Sequence, residues 1–161
     1  MNRTRMYLAG AIEKSPDGGV GIRQKIQKEM SDLDIQLVNP CDFEYNQDEF
    51  PTMWSHQRNL ENDFEECMCH SRNIVEGDLD HVRLSDFILV ILDENCGCGT
   101  ASEVTIAQSE HIPVLGIFVN PEKWRTVHPW ILSCVKRVFS NTEDLKRFLI
   151  SFYGVELKDK K

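Results

Sequence analysis

The run Asp86-Phe-Ile-Leu-Val-Ile-Leu92, followed by Asp93-Glu-Asn-Cys-Gly-Cys-Gly-Thr-Ala-Ser-Glu-Val-Thr-Ile-Ala107, decides the fold of this chain. An unbroken apolar run is the mark of a strand buried on both faces of a parallel sheet. The residues after it pass through a glycine loop into a helix expected over Thr100–His111. Gly97 and Gly99 let the backbone turn tightly and come close to a ligand. Thr100 is placed to cap the helix, and the helix dipole favours an anionic Glu103 in the first turn. Ligands of α/β proteins sit at the carboxyl ends of the strands, which puts Glu103 in the expected cleft. The same residues have a plainer meaning. Thr100-Ala-Ser-Glu103 has the form of a capping box, in which the glutamate only bonds its own helix start. Ser140-Asn-Thr-Glu143 repeats the pattern with no sign of chemistry nearby. Spacing alone leaves both readings open.

Working outward, Arg5–Ala9 reads as a first strand leading into Gly10 and a loop. Ile22, Ile26, Met30 and Leu33 recur at helical spacing and predict a helix over Val20–Leu33. Ile35–Val38 is a second strand stopped by Asn39-Pro40. Residues 41–70 are polar with scattered aromatics, and read as an active-site insertion with a helix around 54–70. A further helix is expected over Asn73–Leu84, then the Asp86–Leu92 strand, the Thr100 helix and a strand over Pro113–Phe118. Arg137–Phe139 reads as a weak last strand, and Asn141–Tyr153 as a closing helix. Alternating strands and helices predict an α/β, doubly wound, flavodoxin-like five-stranded parallel sheet in order 2-1-3-4-5, with helices on both faces. All 161 residues are expected to form one domain, with 155–161 as a tail.

Composition narrows the function classes. The chain is 41% hydrophobic and 27% charged, as in ordinary globular proteins. Its net charge of −8 argues against a nucleic-acid polymer as partner, since phosphate binding concentrates Lys and Arg. No apolar run approaches a membrane span, and Met1–Met6 lead straight into a strand without a signal peptide, so a cytoplasmic location is expected. The Cys67-Met-Cys69-His70 and Cys96-Gly-Cys98 groups lack the usual zinc spacing, so neither a metal nor another cofactor is expected.

Gly10 and the Gly18–Gly21 run bracket the first strand-to-helix connection. They fit neither a dinucleotide fingerprint nor a P-loop, and a small sugar, a monophosphate or a plain turn all suit them. Lys14 and Arg23 are candidates for steering a phosphate or contacting a base; a solvated charge is the plainer reading of each. Tyr7 reads as part of the site wall. The aromatics Phe43, Tyr45, Phe50 and Trp54 are expected either to cover the cleft and stack on a flat base, or to pack on the sheet edge or a partner subunit.

Taken in order, these residues resemble the nucleoside 2-deoxyribosyltransferase family, which includes nucleotide N-glycosidases. The resemblance is carried by Tyr7-Leu-Ala-Gly10, Asn39-Pro40, Asp78-Leu-Asp-His-Val-Arg-Leu-Ser-Asp86, Gly99-Thr-Ala-Ser-Glu103 and Ile112-Pro-Val114, over roughly residues 5–118. It implies a small-molecule nucleoside or nucleotide substrate and a homo-oligomer whose subunits complete one another's sites. It also implies Glu103 as nucleophile on C1′ of the deoxyribose, Asp78 in proton transfer, and a structural Asp86 facing the helix. Tyr7, Gly10, Gly97, Gly99, Thr100 and Arg23 are then the substrate-binding candidates. Gly97 departs from the family, which often has an aspartate there, or a serine for a 5′-phosphate in its N-glycosidases. That departure motivates a competing expectation: a nucleotide-binding module of the same fold without turnover.

Overall fold

The computed structural model describes residues 3–12, 14–43 and 60–158. Five strands form one sheet: β1 (Thr4–Gly10), β2 (Ile35–Val38), β3 (Phe87–Leu92), β4 (Val114–Phe118) and β5 (Arg137–Phe139). They are all parallel, in the order β2-β1-β3-β4-β5, as expected. The helices are α1 (Val20–Glu29), α2 (Leu60–Arg83), α3 (Cys98–Ser109), α4 (Pro129–Cys134) and α5 (Thr142–Tyr153). None of the described helices is long and apolar enough to cross a membrane.

Alternation along the strands sorts the core into two layers. Met6 and Leu8 of β1 and Leu89 and Ile91 of β3 join Ile26 of α1 and Leu145 and Leu149 of α5. Tyr7, Ala9, Ile88 and Val90 point the other way, into a layer with Val82 of α2, Val104 and Ala107 of α3 and Ile131 of α4. Tyr7 therefore stands on the α3 side of the sheet. All six residues of β3 are buried, as the unbroken apolar run requires. The chain changes direction of winding between β1 and β3, and a ligand crevice is expected at that switch point.

Several boundaries differ from expectation for identifiable reasons. The first helix stops at Glu29, and the chain then turns so that Met30 and Leu33 still enter the core. The two helices expected around residues 54–84 are one as far as they are described, running from Leu60 to Arg83 with no proline to break it. Three short helical turns begin alike: Asn39, Asn120 and His128 each precede a proline and accept a hydrogen bond from the backbone N–H two residues on. Proline at the first helical position lacks an N–H that would have been an orphan anyway. These Asn-Pro and His-Pro pairs were thus readable as helix starts. The chain end is docked as far as Lys158: Val155 is buried, and the Lys158 N–H donates to Asp32 O at 2.8 Å.

Asp86 is structural, but towards β1 rather than a helix. Its Oδ2 accepts the Arg5 N–H at 2.7 Å, while its own N–H donates to Arg5 O at 2.9 Å. Gly116, within β4, lets three apolar side chains close over the strand. A Cβ there would lie 2.7 Å from Leu92 Cδ1 and 3.1 Å from Val135 Cγ1. Gly116→Ala is therefore expected to destabilise the fold by about 1–3 kcal/mol through overpacking, although alanine is the better strand residue. The midpoint of urea unfolding measures it.

Candidate active site

The ends of β1 and β3 hold a cleft of about 370 Å³. Gly10, Ala11, Ile12 and Lys14 form one side, and Asn95, Gly97, Cys98, Gly99, Thr100, Ser102 and Glu103 another; α2 closes it with Ile74, Val75, Asp78 and Leu79. Six of the eight catalytic and substrate-binding candidates thus share one lining, Gly10, Asp78, Gly97, Gly99, Thr100 and Glu103, and Lys14, the other candidate for steering a phosphate, joins them. The other two, Tyr7 and Arg23, lie beneath it, wholly buried. Asn95, Cys98, Ser102 and the apolar α2 residues were not foreseen. The register of α2 carried the signal for the last group, since Ile74, Val75 and Leu79 lie within a turn or so of Asp78.

Glu103 settles the choice between capping and cleft. The helix starts two residues earlier than expected, with Gly97 as its N-cap and Cys98 as its first residue, and no side chain caps it. Thr100 is therefore inside the first turn rather than at its edge, and Glu103 is in the second turn, too far along to serve a capping box. Its Oε1 instead accepts the Tyr7 hydroxyl proton at 2.6 Å across a sequence separation of 96 residues. That length is typical of a hydroxyl bonded to a carboxylate. The repeat at Ser140–Glu143 resolves differently again, with Asn141 as the cap, accepting from Asp144 N at 2.8 Å.

Burial pushes the Glu103 carboxyl up to about 8; the Tyr7 hydrogen bond opposes the rise, Asp78 adds to it, and the positive charge of Arg23 opposes it. The first of these is a desolvation cost that only the charged form bears.

Arg23 is neither solvated nor offered to a ligand. Its Nη2 donates to Gly10 O at 2.9 Å, its Nη1 to Gly19 O at 3.0 Å and Ala11 O at 3.2 Å, and its Nε to Leu8 O at 3.4 Å. Within the glycine run, Gly19 makes room for this side chain. Gly19 has φ +70°, and a Cβ there would collide with Arg23 Nη1 and Ala11 O. Asp17 fixes the same turn by accepting from Gly19 N and Gly21 N, both at 2.9 Å, and those bonds hold its carboxyl below the usual range. The Gly18–Gly21 residues do not line the cleft; of the bracketing glycines only Gly10 does.

Phe43 stacks on His81 of α2 at 4.1 Å, packs against the α3-side core and is not among the described residues that line the cleft. Tyr45, Phe50 and Trp54 lie outside the described residues. Cys96 donates its thiol hydrogen to Ile91 O at 3.2 Å, and burial pushes its thiol up to about 11. Cys98 is exposed at the cleft. Among the described residues no group of three potential ligands could hold a metal ion.

Two solved structures share this arrangement of elements. A conserved protein from Enterococcus faecalis V583 matches at 21% identity and TM-score 0.60, over 91% of this chain and 96% of its own. A 2-deoxyribosyltransferase from the psychrotolerant bacterium Bacillus psychrosaccharolyticus matches at 17% identity and TM-score 0.64, over 98% of this chain and 100% of its own. This chain has the fold of a 2-deoxyribosyltransferase. No protein-family model and no curated protein matches its sequence. The fold implied by the resemblance is therefore the fold observed.

The buried carboxyl makes stability depend on pH in a definite direction. Glu103 is held near 8 in the folded chain against an ordinary value of 4.5, so between those values the folded state binds more protons than the unfolded one. Its contribution is fully present below about 4.5 and is lost as pH rises through about 8. Glu103→Gln should remove this component. The stability of the variant relative to the parent is expected to increase steadily from pH 5 to pH 8.5, as read from paired denaturant titrations. A difference independent of pH would contradict the burial of an ionisable group.

Proposed function

We propose that the protein cleaves or transfers at the N-glycosidic bond of deoxyribonucleosides or their 5′-monophosphates, with Glu103 as nucleophile. The observation that carries this reading is the buried Glu103 carboxyl, fixed by Tyr7 on the wall of a cleft it shares with Asp78. The order of motifs and the fold shared with a 2-deoxyribosyltransferase support it.

In this mechanism an oxygen of the Glu103 carboxylate attacks C1′ of the sugar and forms a covalent glycosyl ester. The C1′–N bond breaks, and its electron pair leaves with the base, which takes a proton from the Asp78 carboxylic acid. Positive charge builds on the sugar as the bond stretches, and the adjacent carboxylate stabilises it. A second base or a water then attacks C1′ and gives its proton back to the Asp78 carboxylate. Glu103 leaves as a carboxylate, and the cycle closes. Attack needs the charged form, which burial disfavours. Desolvation also strips the carboxylate of water that would blunt its reactivity.

One observation favours a second reading, a nucleotide-binding module without turnover. At Gly97 there is no acid, and a Cβ there would meet only Asn95 O, at 3.9 Å. Tight nucleotide binding without any product would establish it.

Base release from a panel of deoxynucleosides and their monophosphates, with and without an acceptor base, tests the first reading. Glu103→Gln is expected to lose at least ~10³-fold in turnover while keeping the fold and measurable binding, since the amide accepts the Tyr7 hydrogen bond but cannot form the ester. Retention of most activity by that variant would remove Glu103 from the chemistry. Asp78→Asn is expected to lose ~10²-fold, most with bases that leave poorly without a proton. For the parent, kcat/KM should rise with pH towards about 8 as the free Glu103 ionises. A profile flat from pH 5 to pH 9 would contradict it.

A further inference from the structure

The face of α2 that enters the core at Val82 continues, one turn earlier, over the cleft. Ile74, Val75, Asp78 and Leu79 line the cleft from neighbouring positions on one side of the helix. Three of the four are apolar, yet they face a cavity rather than the core. Val75 is 54% exposed, and Ile74 and Leu79 are only half-buried. Apolar residues scattered singly over a surface are ordinary. These stand together beside a carboxyl, on the wall of a cavity of about 370 Å³, a volume that suits a small ligand.

The opposite wall has the other character. There α3 and the loop before it bring Asn95, Thr100, Ser102 and Glu103, with backbone at Gly97 and Gly99 where a Cβ would meet nothing closer than 3.9 Å. The cleft is therefore divided: hydrogen-bonding groups and the buried carboxyl lie on the α3 side, branched aliphatic carbons on the α2 side. A nucleoside is divided in the same way, into a hydroxyl-bearing sugar and a flat base whose two faces carry no hydrogen-bonding groups. Asp78 sets where that base goes. A helical side chain leans towards the helix N-terminus and covers the turn before its own Cα. The turn before Asp78 holds Val75 and Ile74, three and four residues back, with Cβ atoms about 5–6 Å away. A ring nitrogen within hydrogen-bond reach of the Asp78 carboxyl, about 2.6–3.2 Å, therefore lies over those two side chains.

We propose that Ile74 and Val75 form the platform on which the base of the substrate rests, so that α2 recognises the base by its apolar face while the α3 side takes the sugar. This rests on the roles of Glu103 and Asp78 given above, but the two can fail separately. Among the described residues no aromatic ring lines the cleft, and the branched side chains of these two residues supply the flat apolar contact instead. Such a contact is made before and during bond breakage alike, so it strengthens substrate binding without lowering the chemical barrier. It also holds the base with its edge towards the Asp78 carboxyl, where the departing nitrogen needs it.

The methyl groups of Ile74 and Val75 can be followed in ¹H–¹³C spectra of methyl-labelled protein, with Ile74→Val and Val75→Ala identifying the signals. The probes are 2′-deoxyadenosine, 2′-deoxyguanosine, 2′-deoxycytidine and thymidine, added to Glu103→Gln so that they stay intact. Each that binds should move both methyl signals upfield, because an aromatic ring lying over a methyl shields it; 2-deoxyribose, which has no base, should not. In the otherwise unaltered chain, Val75→Ala should raise Kd and KM for the nucleosides by about three- to tenfold, as expected when two methyl carbons lose part of their cover. Its kcat should stay within about twofold, since the lost contact is the same in ground and transition states. Val75 is exposed and alanine is the better helix former, so the variant keeps the fold. Base release with both methyl signals unmoved would overturn the proposal, as would an unchanged Kd and KM in Val75→Ala. Failure of all four nucleosides to bind would overturn it too. Upfield shifts with no base released by the parent from any nucleoside would uphold the platform and sink the catalytic reading.

Discussion

Two ionisable side chains are buried at the same end of one parallel sheet, and the local structure there follows from accommodating them. Glu103 is held by a hydroxyl from β1, and Arg23 by four carbonyls from β1 and the turn after it. Both depend on β1 ending where it does. Tyr7 faces α3 because alternate residues of a strand point to opposite sides, and a shift of one residue would turn its hydroxyl into the α1 layer. The pairing of Gly10 with Ile91 fixes that register. The carbonyls of Gly10 and Ala11 then emerge beyond the last pairing, free to take the guanidinium. The apolar layers supply most of the stability, but this end of β1 decides where the charges go.

Such an end is expected to be expensive for stability, and the chain concentrates the expense. Glu103 and Arg23 are two of only five buried polar or charged residues among those described; Glu103 lines the cleft, and Arg23 holds the carbonyls of Gly10 and Ala11, which line it too. Elsewhere ion pairs stay at the surface, as in Lys123–Glu94 at 2.8 Å and Arg83–Glu110 at 3.0 Å, where they contribute little. Lys146 is the nearest to an exception, being mostly covered, and it ties α5 to the end of α1 through Asp32 and Glu29 O. A charge kept in the interior against its desolvation cost is the usual signature of a functional site rather than of a scaffold.

The sheet was legible because burial writes directly into composition. The apolar run of β3 has no other economical home than the centre of a parallel sheet, and the alternation of periods around it fixed the order of elements. Glu103 was legible as a position but ambiguous as a role, since Thr100-Ala-Ser-Glu103 satisfies a capping pattern that the helix does not use. A start two residues earlier, at Cys98, was hidden because neither cysteine nor glycine announces a helix. Arg23 was misread for a deeper reason. Arginine is mostly a surface residue, and nothing local distinguishes one that folds inward; its acceptors are backbone carbonyls, which leave no trace in sequence. The clue lay instead in the Gly18–Gly21 run, which suits a ligand or a plain turn in sequence; in the structure its Gly19 makes room for the guanidinium.

The placement of Asp78 gives Gly97 a physical context. An acid at Gly97 would sit on the residue that caps α3, at the end of a loop, whereas Asp78 is carried by α2, a helix of 24 residues whose Val82 is anchored in the core one turn further on. A proton donor must approach the departing nitrogen to within hydrogen-bond reach in the transition state, and groups on helices hold such distances better than groups on loops. The raised Glu103 carboxyl and the neighbouring Asp78 also act on each other: ionising one disfavours ionising the other. Burial and the neighbouring Asp78 both favour the protonated form of Glu103, so the charged nucleophile forms only as pH approaches about 8. In the chemistry proposed above the proton comes from Asp78 on α2, which leaves the loop at Gly97, on the same cleft, open to the substrate.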